Sequence, residues 1–250
     1  MRVWHTLLRR ELGGYLLSLT GYVIITAVAF LLGVGFTLVM LAYNGDSLTV
    51  PLTELFHSTL FFWLILLVAT PVITMRSFAQ EHFSGTYETL MTCPVGDAQI
   101  VLAKYAAAFV FYVLMWLPLL ACLQVVHRQT AGGAPFDWWP AASTGLGILL
   151  MGALYLAMGC LASALTRSQI VAAILSFAMG LTLFLLSFAK AGLGARAGWM
   201  ADAASYLSMV EHMEDFVRGV VDTRRLVFYL SLSGLFLFLS VKVVEARRWK

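Results

Sequence analysis

Six long apolar runs constrain this chain more than any other feature in it. They cover roughly residues 18–43, 56–75, 103–126, 141–164, 169–189 and 226–242. A helix that crosses a bilayer needs about 20 apolar residues, and a backbone immersed in lipid must satisfy its own hydrogen bonds. Each run is therefore predicted to be a transmembrane α-helix. Composition agrees: 61% of the 250 residues are hydrophobic and 12% charged, against roughly 25% charged in soluble domains. The spans use up the sequence and leave no stretch for a soluble domain of ordinary size, roughly 50 residues or more. The expectation is an all-α polytopic membrane protein, one transmembrane domain over residues 1–250.

The first run follows Arg2, Arg9 and Arg10, and Ala27, Val28 and Ala29 mimic a signal-cleavage site. The apolar sequence nevertheless continues through Phe30, Leu31 and Leu32 to Tyr43, longer than the about 7–15 residues of a secretory core. A retained helix is expected. With both termini inside, the inner segments carry Arg2, Arg9, Arg10, Arg76, Lys104, Arg167, Lys242, Arg247, Arg248 and Lys250. The outer segments carry Arg128, Lys190, Arg196, Arg218, Arg224 and Arg225, so the count is ten against six. The positive-inside bias thus places both termini in the cytoplasm. The net charge of +3 is this asymmetry and not a nucleic-acid footprint. Cys93, Cys122 and Cys160 fall at separate depths, too far apart to bridge, and are expected as free thiols. Glu54 and His57, three apart in the first outer loop, share a helix face. The pair lacks the second copy that a diiron bundle uses, so no metal site is expected.

Residues 1–16 read as an interfacial helix. Val3, Trp4, Leu7, Leu8, Leu12 and Tyr15 fall on one side of a helical wheel, and Arg2, Thr6, Arg9, Arg10 and Gly13 on the other. Such a helix lies at the inner interface with its arginines toward lipid phosphates or a protein. Pro71 is expected to kink the second span near its inner end. Residues 76–98 form the longest inner loop. Gly85 breaks the chain there, and Thr86 to Thr92 reads as a two-turn helix with Tyr87, Leu90 and Met91 on one face and Glu88 on its flank. Pro94 ends that helix, and Asp97 is the expected N-cap of the third span. The apolar face can seat in a soluble partner, in its own bundle or in the lipid interface.

On the outer side Phe136, Trp138 and Trp139 fit an aromatic belt. The fourth span is rich in Gly145, Gly147, Gly152, Ala157, Gly159 and Ser163, small residues that let helices approach closely. Thr166 to Gln169 makes a tight inner turn. Residues 190–225 form an outer segment with a capping box at Ser208 and Glu211. A helix from Met209 to about Arg218 should stop at Gly219, with Val210, Met213 and Val217 as its apolar stripe. It would dip into the outer membrane face or cap an exit. Asp222 should cap the sixth span, and Glu245 to Lys250 reads as a basic inner anchor.

No Asp, Glu, Lys or Arg lies deep in any span. Ion-coupled carriers need buried ionisable groups, and membrane enzymes need converging nucleophiles, bases or ligands. No G-x-x-x-x-G-K-[ST] phosphate loop is present, so any energy from ATP must arrive from another subunit.

Residues Glu81 to Val95, EHFSGTYETLMTCPV, resemble the loop after the second helix in type-2 ABC transporter permeases. The pattern there is an acidic pair, a basic residue, G-T-x-E-x-L and a later proline. Residues Glu211 to Tyr229, EHMEDFVRGVVDTRRLVFY, are similar to the end of the gliding-motility-type branch. The resemblance covers essentially the whole chain and implies the type V exporter fold, a six-helix permease of a bacterial cytoplasmic membrane. It implies no catalytic residue and no cofactor in this chain, with ATP and Mg in two copies of a partner ATPase and a second permease, identical or homologous, alongside. The ATPase-coupling residues would be Glu81, Gly85, Thr86, Tyr87, Glu88, Leu90, Met91 and Pro94. Trp4, Arg9 and Arg10 would belong to the connecting helix at the lipid surface. Val210, Met213, Phe216, Val217, Arg218, Gly219 and Asp222 would cap the exit. Two positions depart from the pattern: Gln80 stands where the first acid is usual and His82 where the base is. A non-transporting anchor or assembly platform would use the same docking loop and is the alternative.

Overall fold

Helices follow the apolar runs closely. The computed structural model describes residues 2–43, 59–85, 95–130, 138–188 and 206–248, and among them there are helices and no strand. The elements are α1 (Arg2–Leu16), α2 (Leu19–Tyr43), α3 (Leu60–Thr74), α4 (Ala79–Ser84), α5 (Asp97–Met115), α6 (Leu117–Thr130), α7 (Trp138–Leu165), α8 (Gln169–Leu186), α9 (Met209–Val217) and α10 (Thr223–Arg248). Six segments among the described residues are long and apolar enough to cross a membrane.

The fourth span, α7, is the hub. It packs against α3, α5, α8, α9 and α10. Its most apolar stretch is 83% buried, against 22% for the first span, 17% for the fifth and 22% for the sixth. The outer faces of those three spans are therefore left for lipid or for another chain. The small residues of α7 make the hub possible, because without a bulky side chain two backbones can close on each other. Gly152 lies against the Tyr112 ring, Gly159 against Thr74, and Gly147 against Phe216 and Met213. Gly145 has nothing within 4 Å and takes no part. The Tyr112 hydroxyl donates to Ile148 O at 3.1 Å, and the Tyr155 hydroxyl donates to Gly180 O at 3.1 Å. Each satisfies a phenol that lipid could not.

Two spans are interrupted, the second past Thr74 and the third at Pro118. Pro71 lies inside α3, which ends at Thr74 with the Met75 N–H on Pro71 O at 2.8 Å. The chain then turns and restarts as α4. The third span, read from sequence as one helix over 103–126, is two helices. Pro118 has no N–H to give the preceding turn. A tight turn closes the gap, Trp116 N–H to Val113 O at 3.1 Å and Leu119 N–H to Trp116 O at 3.0 Å. Its N-cap is also one residue early: Gly96 holds that position, and Asp97 opens the helix instead.

Candidate functional site at the C-terminal end of the second span

The site is built on the short helix α4. Its first two exposed donors, the N–H groups of Phe78 and Ala79, both go to Ser163 Oγ, at 3.0 and 3.1 Å. A hydroxyl from the C-terminal end of α7 thus does for α4 what an N-cap residue does locally. Phe78 and Ala79 are fully buried. At the far end Gly85 adopts φ 71°, the left-handed conformation that glycine reaches without a Cβ penalty. It ends α4 and directs the chain into residues 86–94.

An ionic cluster braces the same helix from two sides. Lys104 on α5 is 4% exposed and reaches Glu81 Oε1 at 2.8 Å and Glu11 Oε1 at 3.1 Å. Arg10 on α1 reaches Glu81 Oε1 at 3.2 Å and Glu11 Oε1 at 3.1 Å. Lys104 also lies over the Phe78 ring at 5.5 Å. Glu81 Oε2 is buried without a hydrogen-bond partner among the described residues. Arg76, just before α4, donates from Nε to Gln80 Oε1 at 2.7 Å and from Nη1 to Thr20 Oγ1 at 2.6 Å. On the other side, Arg247 of α10 donates to His82 Nε2 at 3.0 Å and to Leu165 O at 2.7 Å. Arginine has only donors, so His82 is the acceptor and is neutral here. The two departures from the family pattern, Gln80 and His82, are thus both engaged by arginines. Arg247, expected as part of a basic anchor, is turned onto the protein.

α1, expected at the membrane interface, is held more tightly than its wheel suggests. Leu12, Tyr15 and Leu16 pack on the main core, the Tyr15 and Phe111 rings stack at 5.2 Å, and the Tyr15 hydroxyl donates to Ile73 O at 3.1 Å. Burial raises the Tyr15 phenol well above its ordinary range, with the Ser77 hydrogen bond opposing. Trp4 is half-buried and Arg9 exposed. Between α1, the start of α2 and the α3–α4 corner lies a cavity of about 430 Å³ lined by Arg10, Thr20, Arg76, Glu81 and Lys104 among others.

At the opposite end of the bundle from α4, α9 folds onto the hub α7. Ser208 caps it, accepting from Glu211 N at 3.3 Å. Gly219 follows its end at φ 84°. Met213, Phe216 and Val217 are completely buried, while Val210 is only partly so. The buried face is Met209, His212, Met213, Phe216 and Val217, so Met213 and Val217 of the expected stripe face the core, while Val210 sits at its edge and Met209 and Phe216 complete it. Phe216 O accepts from Ser143 Oγ, and Gly219 O accepts from Trp139 Nε1 at 2.8 Å. Arg218 is exposed at the helix end. Asp222 caps α10 through Arg224 N at 2.9 Å. His212 Nδ1 lies 3.1 Å from the Tyr229 hydroxyl. Burial first, and then the Arg225 guanidinium, lower His212 to about 4, with Glu211 and Asp222 partly opposing.

The structure therefore brings Glu81, Arg10 and Gly85 to one corner. Thr86, Tyr87, Glu88, Leu90, Met91 and Pro94 lie outside the described residues, as do Glu54, His57, Phe136 and Cys93. Cys122 and Cys160 are free thiols. No group of three His, Cys, Asp or Glu able to hold a metal occurs among the described residues. Lys104 closes the stretch that continues the family pattern, but no role is expected of it there. The signal that could have found it is chemical, since a lysine at the start of a packed span demands a carboxylate. Glu11 and Glu81 are on the right side to supply one.

A helical bundle of six spans defines a multi-pass membrane protein. Residues 43–239, well over half of the 250-residue chain, match the family described as ABC-2 family transporter protein, and the chain belongs to that family. It is a permease subunit of an ABC transporter, the membrane transport component that works with an ATPase partner in a dimeric arrangement. No curated protein matches the chain.

Proposed function

We propose that this permease serves an ATP-driven exporter whose ATPase, carrying ATP and Mg, docks on the loop between the second and third spans. In this reading Tyr87, Leu90 and Met91 seat in a groove of the ATPase, Glu88 pairs with a basic residue there, and Pro94 ends the docking helix. Both termini lie in the cytoplasm of a bacterium, two ATPase copies serve two permeases, and the chain belongs to the gliding-motility-type branch. The α9 helix, with Val210, Met213, Phe216, Val217, Arg218, Gly219 and Asp222, closes the exit.

The observation that supports this most is the bracing of α4. A push delivered at residues 86–94 enters α4 through Gly85. From there it meets Ser163 of α7, Lys104 of α5 and Arg10 of α1 without a loose joint. Such a push does work only if the ATPase binds the two permease states with different free energies. The test is Tyr87→Asp in the assembled transporter. Permease-stimulated ATP turnover should fall sharply with the complex still folded; unchanged stimulation would refute the docking assignment. ATP-dependent flux into vesicles then separates an exporter from an anchor, which would assemble as tightly and move nothing.

A further inference from the structure

The cavity of about 430 Å³ beside α4 does not end at the polar corner. Its wall includes Ile24 and Val72, and the same two residues open a second cavity of about 210 Å³ that runs between α2 and α3. That second cavity is lined by aliphatic side chains alone, Ala27, Leu31, Leu64 and Val68 among them. It is open to the side, with Val23 59% and Val68 47% exposed. The two cavities adjoin at Ile24 and Val72, one carrying the charged groups and the other wholly apolar.

We infer that the two cavities bind an anionic phospholipid of the inner leaflet, its phosphate at Arg76 and Arg10 and an acyl chain between α2 and α3. The inference rests on the orientation proposed above, which puts the charged end at the cytoplasmic face. Three cations, Arg10, Arg76 and Lys104, face two carboxylates, Glu11 and Glu81, leaving one positive charge in excess. Lys104 and Arg10 hold both carboxylates, so Arg76 carries that excess. It spends Nε–H on Gln80 and one Nη1–H on Thr20. A guanidinium has five donors, so it retains hydrogens for a phosphate, the ligand its fork fits best. The cytoplasmic leaflet supplies that anion.

Depth fits as well. From Val72 to Leu64 is eight residues, about 12 Å of helix. The acyl region of one leaflet is about 15 Å, half of the ~30 Å core. The groove thus takes in most of the length of a chain whose head sits at Arg76.

The test uses the full permease in nanodiscs of phosphatidylcholine with a minority of phosphatidylglycerol bearing a photoactivatable acyl chain. Labelling is expected on residues 19–31 and 60–74. Arg76→Gln should reduce it about fivefold, the effect of one interfacial cation, and Arg76→Lys should reduce it less. Ala27→Trp adds bulk at an exposed position and should block the groove without touching the charged end. Equal labelling by a phosphatidylcholine probe would overturn the inference, as would indifference to both Arg76→Gln and Ala27→Trp. Competition by soluble glycerol phosphate as strong as by the lipid would assign the corner to a free phosphate instead. A disulfide between two copies carrying Val68→Cys would seat a second permease in the groove and exclude the lipid. The readout needs no ATPase, so its failure and a failure of the docking assignment are separate results.

Discussion

Lys104 Nζ lies 2.8 Å from Glu81 Oε1, and 23 residues separate the two in sequence. The lysine side chain is 4% exposed and the glutamate 13%, so water does little of the solvation. Removing one partner leaves the other buried and uncompensated. Lys104→Ala is expected to destabilise the purified permease by about 3 kcal/mol, the lower end for a broken buried pair, read as a drop in melting temperature in detergent. Lys104→Met with Glu81→Gln removes both charges and should lose clearly less than Lys104→Ala alone. Equal losses would mean that the cluster acts through packing and not through charge.

Glycines in α7 should respond oppositely to the same change. A Cβ at Gly152 would run into the Tyr112 ring, which is completely buried and cannot step aside. Overpacking costs about 1–3 kcal/mol and outweighs the ~1 kcal/mol that alanine gains over glycine in a helix. Gly152→Ala should therefore lower stability, and Tyr112→Leu in the same chain should recover part of the loss. At Gly145 nothing stands within 4 Å, and Gly145→Ala should be neutral or stabilising by up to about 1 kcal/mol. Thermal unfolding of the three variants decides it.

Acid should loosen α9. His212 is held at about 4 in the folded protein, below the ~6.5 of an unfolded histidine. Between those values the unfolded chain takes up a proton that the folded one refuses. Its contribution is thus intact above about pH 6.5 and is lost progressively as pH falls toward 4. Melting temperature measured across pH 7.5 to 4.5 should fall more steeply in the wild type than in His212→Gln. Parallel curves would show that His212 takes no part.

Gly85 should matter for coupling more than for folding. Its φ of 71° charges a side chain about 1–2 kcal/mol, while a Cβ there would meet nothing within 4 Å. Gly85→Val is expected to change the melting temperature by only a few degrees and to misdirect the loop, lowering permease-stimulated ATP turnover severalfold. Gly85→Asn, which tolerates the left-handed region, should keep most of it. If Val and Asn behave alike, the turn does not aim the loop.

Several outcomes governed within one turn of chain were determined by the sequence alone, while the break at Pro118 and the Gly96 cap of α5 departed from the local reading. The six spans follow from apolar run length and the close approach at Gly152 from residue size. Ser208 caps α9 because its partner is three residues away, and the left-handed stop at Gly219 needs only a glycine. The family could be recognised from the order of its motifs, and the match over residues 43–239 agrees. Tertiary structure decided what lies across the fold. Ser163 caps α4 from 85 residues away, and Arg10 reaches Glu81 from 71. Arg247 turns to His82 across 165. Each of these polar groups had several chemically acceptable partners in sequence, lipid phosphate and water included. Only the packing of α1, α4, α5 and α10 around α7 brought one of them within hydrogen-bond reach and removed the rest.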